Sequence, residues 1–273
     1  MKTILCPTDF SDASNNAIAY AAKLAQKFEA SLTLLQVQSA FELSPAEMIR
    51  GRETSTTRTW HALEAQSREV TRAFKISCYA EATSAPEKLS AAIHDQAERF
   101  DLIVMGSNGP DDLYQLLFGS NTYNAILKSN KPVIVVPAGL GYSAIRSMVY
   151  AFDYLRNRTL PLTHLVPLVQ KLSCRLTVLQ VMEDAYSQDA EEELKELQYI
   201  IDTYHHRDLK EIKYDTVRDA DIAQAINRYM LKNMPDALAL CSEHHSLAGR
   251  IFHKSVIKQI TAICNYPVII FPH

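Results

Sequence analysis

The sequence predicts an α/β fold built twice in tandem, each copy a parallel sheet with helices on both faces. Three observations carry this expectation. The chain repeats itself, each copy alternates short apolar runs with helix-length amphipathic ones, and the apolar runs LIVM (102–105) and VIVV (133–136) are continuous, as strands covered on both faces should be.

The repeat has two registers. KFEASLTLLQV (27–37) matches KLSCRLTVLQV (171–181) at a spacing of 144, which also sets Asp9 over Asp153. DLIVMG (101–106) matches DALALC (236–241) at a spacing of 135, which also sets PVIVVP (132–137) over PVIIFP (267–272). The second copy is therefore nine residues shorter in its middle. A chain of 273 residues suits two domains, each of about 130 residues. The segment AGLGYSAI (138–145) holds two glycines and is the expected linker, giving domains 1–142 and 143–273.

Within the first copy, strands are expected near 3–8, 31–37, 75–81, 101–105 and 132–136. Residues 13–28 place Ala17, Ala21, Leu24 and Phe28 on one helical face, with Ser11 or Asp12 as the cap. Residues 42–72 read as a charged loop and a polar-faced helix bearing the single tryptophan. Trp60 is expected to pack that helix onto the sheet, because large aromatics bury most of their area. With Arg50, Arg52 and Arg58 nearby, a nucleotide or partner surface is the alternative. Ser84-x-x-Glu87 ahead of Leu89 and Ile93 reads as a capping box, and residues 119–129 as a helix opening on Gly-Ser-Asn.

Composition narrows the function classes. Hydrophobic residues make up 47%, charged residues 22%, and the net charge is −3, with no basic footprint for nucleic acid or an anionic membrane. The chain begins on a strand-like Thr3-Ile-Leu-Cys6, without a basic leader, and holds no apolar run of the ~18 residues that a span needs. A cytoplasmic protein is expected. Cys6, Cys78, Cys174, Cys241 and Cys264 are scattered and odd in number, which reads as reduced, structural thiols.

Glycine is scarce, yet three of seven lie in Gly106-x2-Gly109-x9-Gly119-Ser120, directly after an apolar strand. In an open parallel sheet, ligands sit beyond the carboxyl ends of the strands where the winding reverses. There Gly106 and Gly109 would let backbone N–H groups turn to a ligand, and Gly119 with Ser120 would open a helix whose N-terminus binds phosphate. The spacing is neither Walker A nor the dinucleotide Gly-x-Gly-x-x-Gly. The plain alternative is a tight turn followed by a helix start. Asp9 likewise has two readings, a ribose contact or a helix cap.

The stretch MGSNGPDDLYQLLFGSNTYNAILKSNKPVIVVP (105–137) resembles the nucleotide-binding signature Gly-x2-Gly-x9-Gly-[Ser/Thr] of the universal stress proteins, and ILCPTDFSDASNNAI (4–18) resembles their first strand and loop. The likeness covers the first copy throughout and the second more faintly, as in a tandem member of the family. It implies a Rossmann-like sheet of five parallel strands in each copy, order 3-2-1-4-5, of the adenine nucleotide alpha hydrolase-like kind. The ligand it implies is ATP or a related adenine nucleotide, accompanied or not by magnesium. By the same resemblance Pro7, Thr8 and Asp9 lie by adenine and ribose, and Val37 offers its backbone to adenine. Met105, Gly106, Ser107, Asn108 and Gly109 line ribose and phosphates, and Gly119, Ser120 and Asn121 close over the phosphate end. The family often has His where this chain has Asn108, and Val where it has Asn121. Members commonly pair through their last strands, which implies that 132–136 and 267–271 meet within one chain, with a homodimer as a further assembly.

The second copy lacks the loop. Cys241 stands at Gly106, His244 at Gly109, Lys254 at Gly119 and Ala151 at Pro7, with Ser255 kept. A Cβ at each former glycine obstructs phosphate, so this copy is expected to be degenerate and mainly structural. Cys241, His244, His245 and His253 form a candidate zinc set, but without paired ligand spacing a buried thiol and polar loop histidines are the plainer reading. TYHHRD (203–208) reads as a solvated helix end. Three function classes follow: a nucleotide-binding stress-response regulator, a slow ATPase or other adenylate chemistry, and a scaffold that binds no nucleotide. No lysine stands in the loop, and the carboxylates near it are Asp9, Asp111 and Asp112. The glycines kept in one copy and lost from the other favour the first class.

Overall fold

A computed structural model describes residues 1–39, 55–85, 96–107, 129–153, 162–182, 192, 194–195, 198–199, 201–203, 209, 211–241, 256–257, 259–260 and 264–272. The chain divides into two units, Met1–Tyr142 and Ser143–His273.

In the first unit, β1 (Thr3–Pro7) leads to α1 (Asp12–Phe28) and β2 (Ser31–Ser39), then to α2 (Ser55–Phe74) and β3 (Cys78–Ala85), followed by β4 (Leu102–Ser107) and β5 (Val133–Pro137). All pairings are parallel and the order is β3-β2-β1-β4-β5. Ser11 caps α1 by accepting the Ser14 N–H at 3.2 Å. Ala17, Ala21, Leu24 and Phe28 are fully buried, which for the two larger side chains is worth about 2 kcal/mol each. The helix ends at Glu29, whose left-handed backbone (φ 53) returns its N–H to the last turn.

Two expectations need correction. Ser84 and Ala85 are the last residues of β3, paired with Gln38 and Ser39, so Ser84 does not cap a helix beginning at Ala85; Glu87, Leu89 and Ile93 lie outside the described residues. The strand is displaced because α2 runs to Phe74 and Lys75 closes it with φ 55, which leaves β3 to begin at Cys78. Trp60 is 37% exposed, while Leu63, Ser67 and Val70 form the buried stripe of α2. Trp60 shares the face of that stripe, one turn nearer the start of the helix, yet stays over a third exposed, so the helix is anchored by its smaller residues.

In the second unit, β6 (Ser147–Asp153), α3 (Leu162–Leu172), β7 (Arg175–Met182), β8 (Ile212–Arg218), α4 (Ile222–Asn233), β9 (Ala237–Cys241) and β10 (Val268–Phe271) repeat the plan, with order β10-β9-β6-β7-β8. The registers repeat too. Ile4 pairs with Leu32 as Met148 pairs with Leu176, and Ile103 with Val133 as Leu238 with Val268. The two spacings in the sequence are thus carried into the strand registers of the two units. None of the five cysteines is held in a disulfide, and Cys6, Cys174 and Cys241 are buried; burial pushes the Cys6 thiol well up and the Cys78 thiol to about 12.

Candidate functional site

The site begins with a rung that one strand lacks. Thr8 N–H gives to the Leu35 carbonyl at 2.9 Å, so the even residues of β1 turn to β2 and the odd ones, Pro7 among them, to β4. The β1–β4 ladder covers only Ile4↔Leu102 and Leu5↔Ile103. Its next rung would need the residue-7 amide to give to the Val104 carbonyl, and proline has no N–H. Both strands nevertheless run on, β1 to Pro7 beside β2 and β4 to Ser107 beside β5. The sheet therefore opens where its winding reverses. The second unit supplies the control: Ala151 stands at the matching position and a third pair, Tyr150↔Ala239, forms.

Two backbones face this opening. Ile103 N–H gives to Pro132 at 3.0 Å, so the odd residues of β4 turn to β5, and Gly106 turns its N–H and C=O to the β1 side, past Val104. From the other flank, β2 overhangs β1, pairing with β3 as far as Ser39↔Ala85. Since Leu35 faces β1, Val37 presents its own N–H and C=O to that side, beyond the end of β1.

The β1–α1 turn closes one wall. Thr8 is buried, its Oγ1 lying 3.2 Å from Ser14 Oγ and accepting the Phe10 N–H at 3.2 Å. Phe10 has a left-handed backbone, φ 64, and its carbonyl accepts from Asn15 Nδ2 at 3.4 Å. Asn15 in turn accepts from Gln66 of α2 at 2.7 Å, a tie that no periodicity of the sequence signals. Asp9 is exposed and its Oδ1 accepts the Ser11 N–H at 3.0 Å. Desolvation raises the Asp9 carboxyl, but hydrogen bonds from Ser11 and Ser14 outweigh it and hold the group below its ordinary value. It is ionised at neutral pH.

Gly106 has a use that its place in a loop motif does not reveal. A Cβ there would lie 2.4 Å from the carbonyl oxygen of Ala13 and 2.7 Å from its carbonyl carbon. The glycine lets the first turn of α1 rest on the end of β4. Met105 and Ser107 are buried and turn to β5, Ser107 Oγ giving to Val136 at 3.4 Å. Pro7, Thr8, Asp9, Val37, Met105, Gly106 and Ser107 thus all come to the carboxyl edge around β1, whereas Asn108, Gly109, Gly119, Ser120 and Asn121 lie outside the described residues.

The matching edge of the second unit carries different side chains. Phe152 replaces Thr8, is 6% exposed and stacks on Tyr150 at 6.3 Å, which meets Phe271 edge-on at 6.5 Å. Cys241, at the Gly106 position, is buried with Sγ 3.9 Å from the Pro272 carbonyl. Phe152 is the substitution that sequence reading passed over, because it sits beside the retained aspartate that draws attention. His244, His245, His253, Lys254 and Ser255 are outside the described residues. Among the described residues no group of three His, Cys, Asp or Glu is placed to hold a metal ion, and no helix is long and apolar enough to cross a membrane.

A model of the universal stress protein family matches residues 1–137, half of the chain, including every described element of the opening. The chain belongs to the universal stress protein family. A universal stress protein of Methanocaldococcus jannaschii is 56% identical over 39 residues, which span 14% of this chain and only 24% of that protein. The crystal structure of a universal stress protein from Archaeoglobus fulgidus covers 99% of this chain and 98% of its own, with a TM-score of 0.76 at 17% identity, and so shares its fold. A family member from Arabidopsis thaliana, solved with AMP bound, covers 51% of this chain and 93% of its own at 17% identity and a TM-score of 0.38. The universal stress protein fold accounts for both the parallel sheet and its 3-2-1-4-5 order in each unit.

Proposed function

We propose that the first unit holds an adenine nucleotide, ATP or a close relative, and that the protein is a cytoplasmic, nucleotide-binding regulator in which the second unit is mainly structural. The observation that carries this reading is the rung missing at Pro7, which opens the sheet between two outward backbones. Val37 offers an N–H beside a C=O, the complement of the donor and acceptor that adenine carries side by side on its edge. Ionised Asp9 is an acceptor for ribose hydroxyls, and Gly106 gives a backbone N–H with no side chain between it and the ligand.

In this reading Pro7 and Thr8 support the adenine and ribose end, and Met105 to Gly109 line ribose and phosphates. Gly119, Ser120 and Asn121 close over the phosphates, joined by magnesium where the ligand is ATP. The occupied and empty forms would differ in loop 106–120 and hence in what the protein binds. Within the same proposal β5 and β10, each last in the strand order of its own unit and wholly apolar, pair inside the chain.

The test is to purify the protein natively, denature it, and assay the released small molecules by mass spectrometry, beside a Gly109→Val/Gly119→Val variant. An adenine nucleotide that is lost in the variant supports the reading. A protein that carries none, and takes none up from added ATP, returns the glycines to a simple turn and favours the scaffold.

A further inference from the structure

We infer that the second unit carries an anion site of its own, for a small ligand bearing two or more phosphate-like charges, in the cleft between β8 and α4. The cleft encloses about 500 Å³ and is lined by Lys213, Arg218, Arg228 and Lys232 against two carboxylates, Asp215 and Asp219. Its size suits a small molecule, and its charge is positive by two in a chain whose total is −3.

Both carboxylates are already engaged. Asp215 Oδ2 accepts the Tyr229 hydroxyl at 2.9 Å and Lys213 Nζ at 3.2 Å, and Asp219 accepts from Arg228. The Lys213 and Arg228 side chains are 64% and 59% exposed. Pairs so exposed hold weakly, so both cations turn to a multiply charged ligand at little cost. Arginine adds the planar fork that suits phosphate oxygens.

The repeat separates this set from ordinary surface charge. Pairing aligns Ile212 with Cys78, so Lys213 and Arg218 stand where β3 has Tyr79 and Ser84. The stretch matching Arg228 to Lys232, residues 93–98, contains no Lys or Arg. The four cations therefore stand at positions without a Lys or Arg in the first unit, where a single cation, Arg99, pairs with Glu81 at the position of Asp215. Charges on β8 also blunt an edge strand, but Arg228 and Lys232 lie on the helix and serve no such purpose.

The test titrates inorganic triphosphate into the full chain by calorimetry at low salt. It compares wild type, Arg228→Gln/Lys232→Gln, and the first-unit variant Gly109→Val/Gly119→Val. The inference expects a binding event that persists in the first-unit variant. In the cation variant it should weaken about tenfold or more, the scale for losing two charge-assisted contacts. Circular dichroism checks the fold, and Arg228→Lys/Lys232→Arg should restore much of the affinity. Failure of the first-unit variant to bind triphosphate overturns the inference, as does unchanged affinity in the cation variant. Because the second-unit site is read in a protein whose first site is disabled, its result stands apart from the fate of the nucleotide reading.

Discussion

A Cβ placed on Gly106 would lie 2.4 Å from the carbonyl oxygen of Ala13, closer than any packed carbon approaches an oxygen. The end of β4 and the first turn of α1 are therefore in contact through a missing side chain. Gly106→Ala must push the helix or the strand aside, at a cost of about 1–3 kcal/mol. Urea denaturation should record that loss. Cys241→Ala, at the same position of the second unit, should cost only what a small buried thiol contributes.

Pro7 gives a second prediction, with its own internal reference. Pro7→Ala restores the amide that Ala151 has, so the β1–β4 ladder should gain the rung that Tyr150↔Ala239 marks in the second unit. The variant should fold at least as stably as wild type, and its affinity for ATP should fall about tenfold as the opening narrows. Hydrogen exchange of the new residue-7 amide, protected in the variant, checks the structural half. An exposed amide with unchanged ATP affinity contradicts the role given to proline.

How much of this was legible in the sequence depends on what kind of group does the work. Continuous apolar runs such as Ile103–Met105 and Val133–Val136 announce buried parallel strands, and the repeat transmits register as well as fold. Pro7 and Gly106 are visible as letters, but their uses lie in contacts with Val104 and Ala13 that only the folded chain brings together. Val37 acts through its backbone, so its direction had to come from the alternation along β2. Ser84 misled because a capping signal is local, whereas eight successive pairs to β2 hold that segment as strand. Trp60 misled because size alone does not say how far along α2 the buried face extends.

Asp9 makes a pH prediction. Its folded carboxyl titrates below the unfolded value of about 3.9, so it contributes stability that is fully present above that value and is lost as pH falls through the folded one. Wild type should exceed Asp9→Asn in stability by a constant margin from neutral pH to about pH 5. The margin should then shrink as the medium is made more acidic. Denaturant midpoints at several pH values measure it, and a margin that grows towards acid would reverse the assigned direction.

Two helix ends are open to improvement. Glu29 and Met234 close α1 and α4 with φ 53 and φ 47, and Met234 is 81% exposed. Replacing either by glycine removes the left-handed penalty and should stabilise the protein by about 0.5–1 kcal/mol, read as a raised melting temperature.

The pairing of β5 with β10 is tested by division. Residues 1–142 and 143–273, expressed separately, should bind one another or self-associate through the apolar strands they leave uncovered. Halves that are each monomeric, stable and indifferent to the other would end that part of the proposal.

The central claim is that a nucleotide enters the gap left at Pro7 in the first unit and that the matching edge of the second unit is closed by Phe152 and Cys241. Calorimetric titration of ATP into the full chain, set against Gly109→Val/Gly119→Val, tests it most directly. The account predicts about one ATP per chain at this site, abolished by the paired substitution. Two equivalent ATP sites, or an ATP affinity that the substitution leaves unchanged while excess inorganic triphosphate occupies the second-unit cleft, would contradict it.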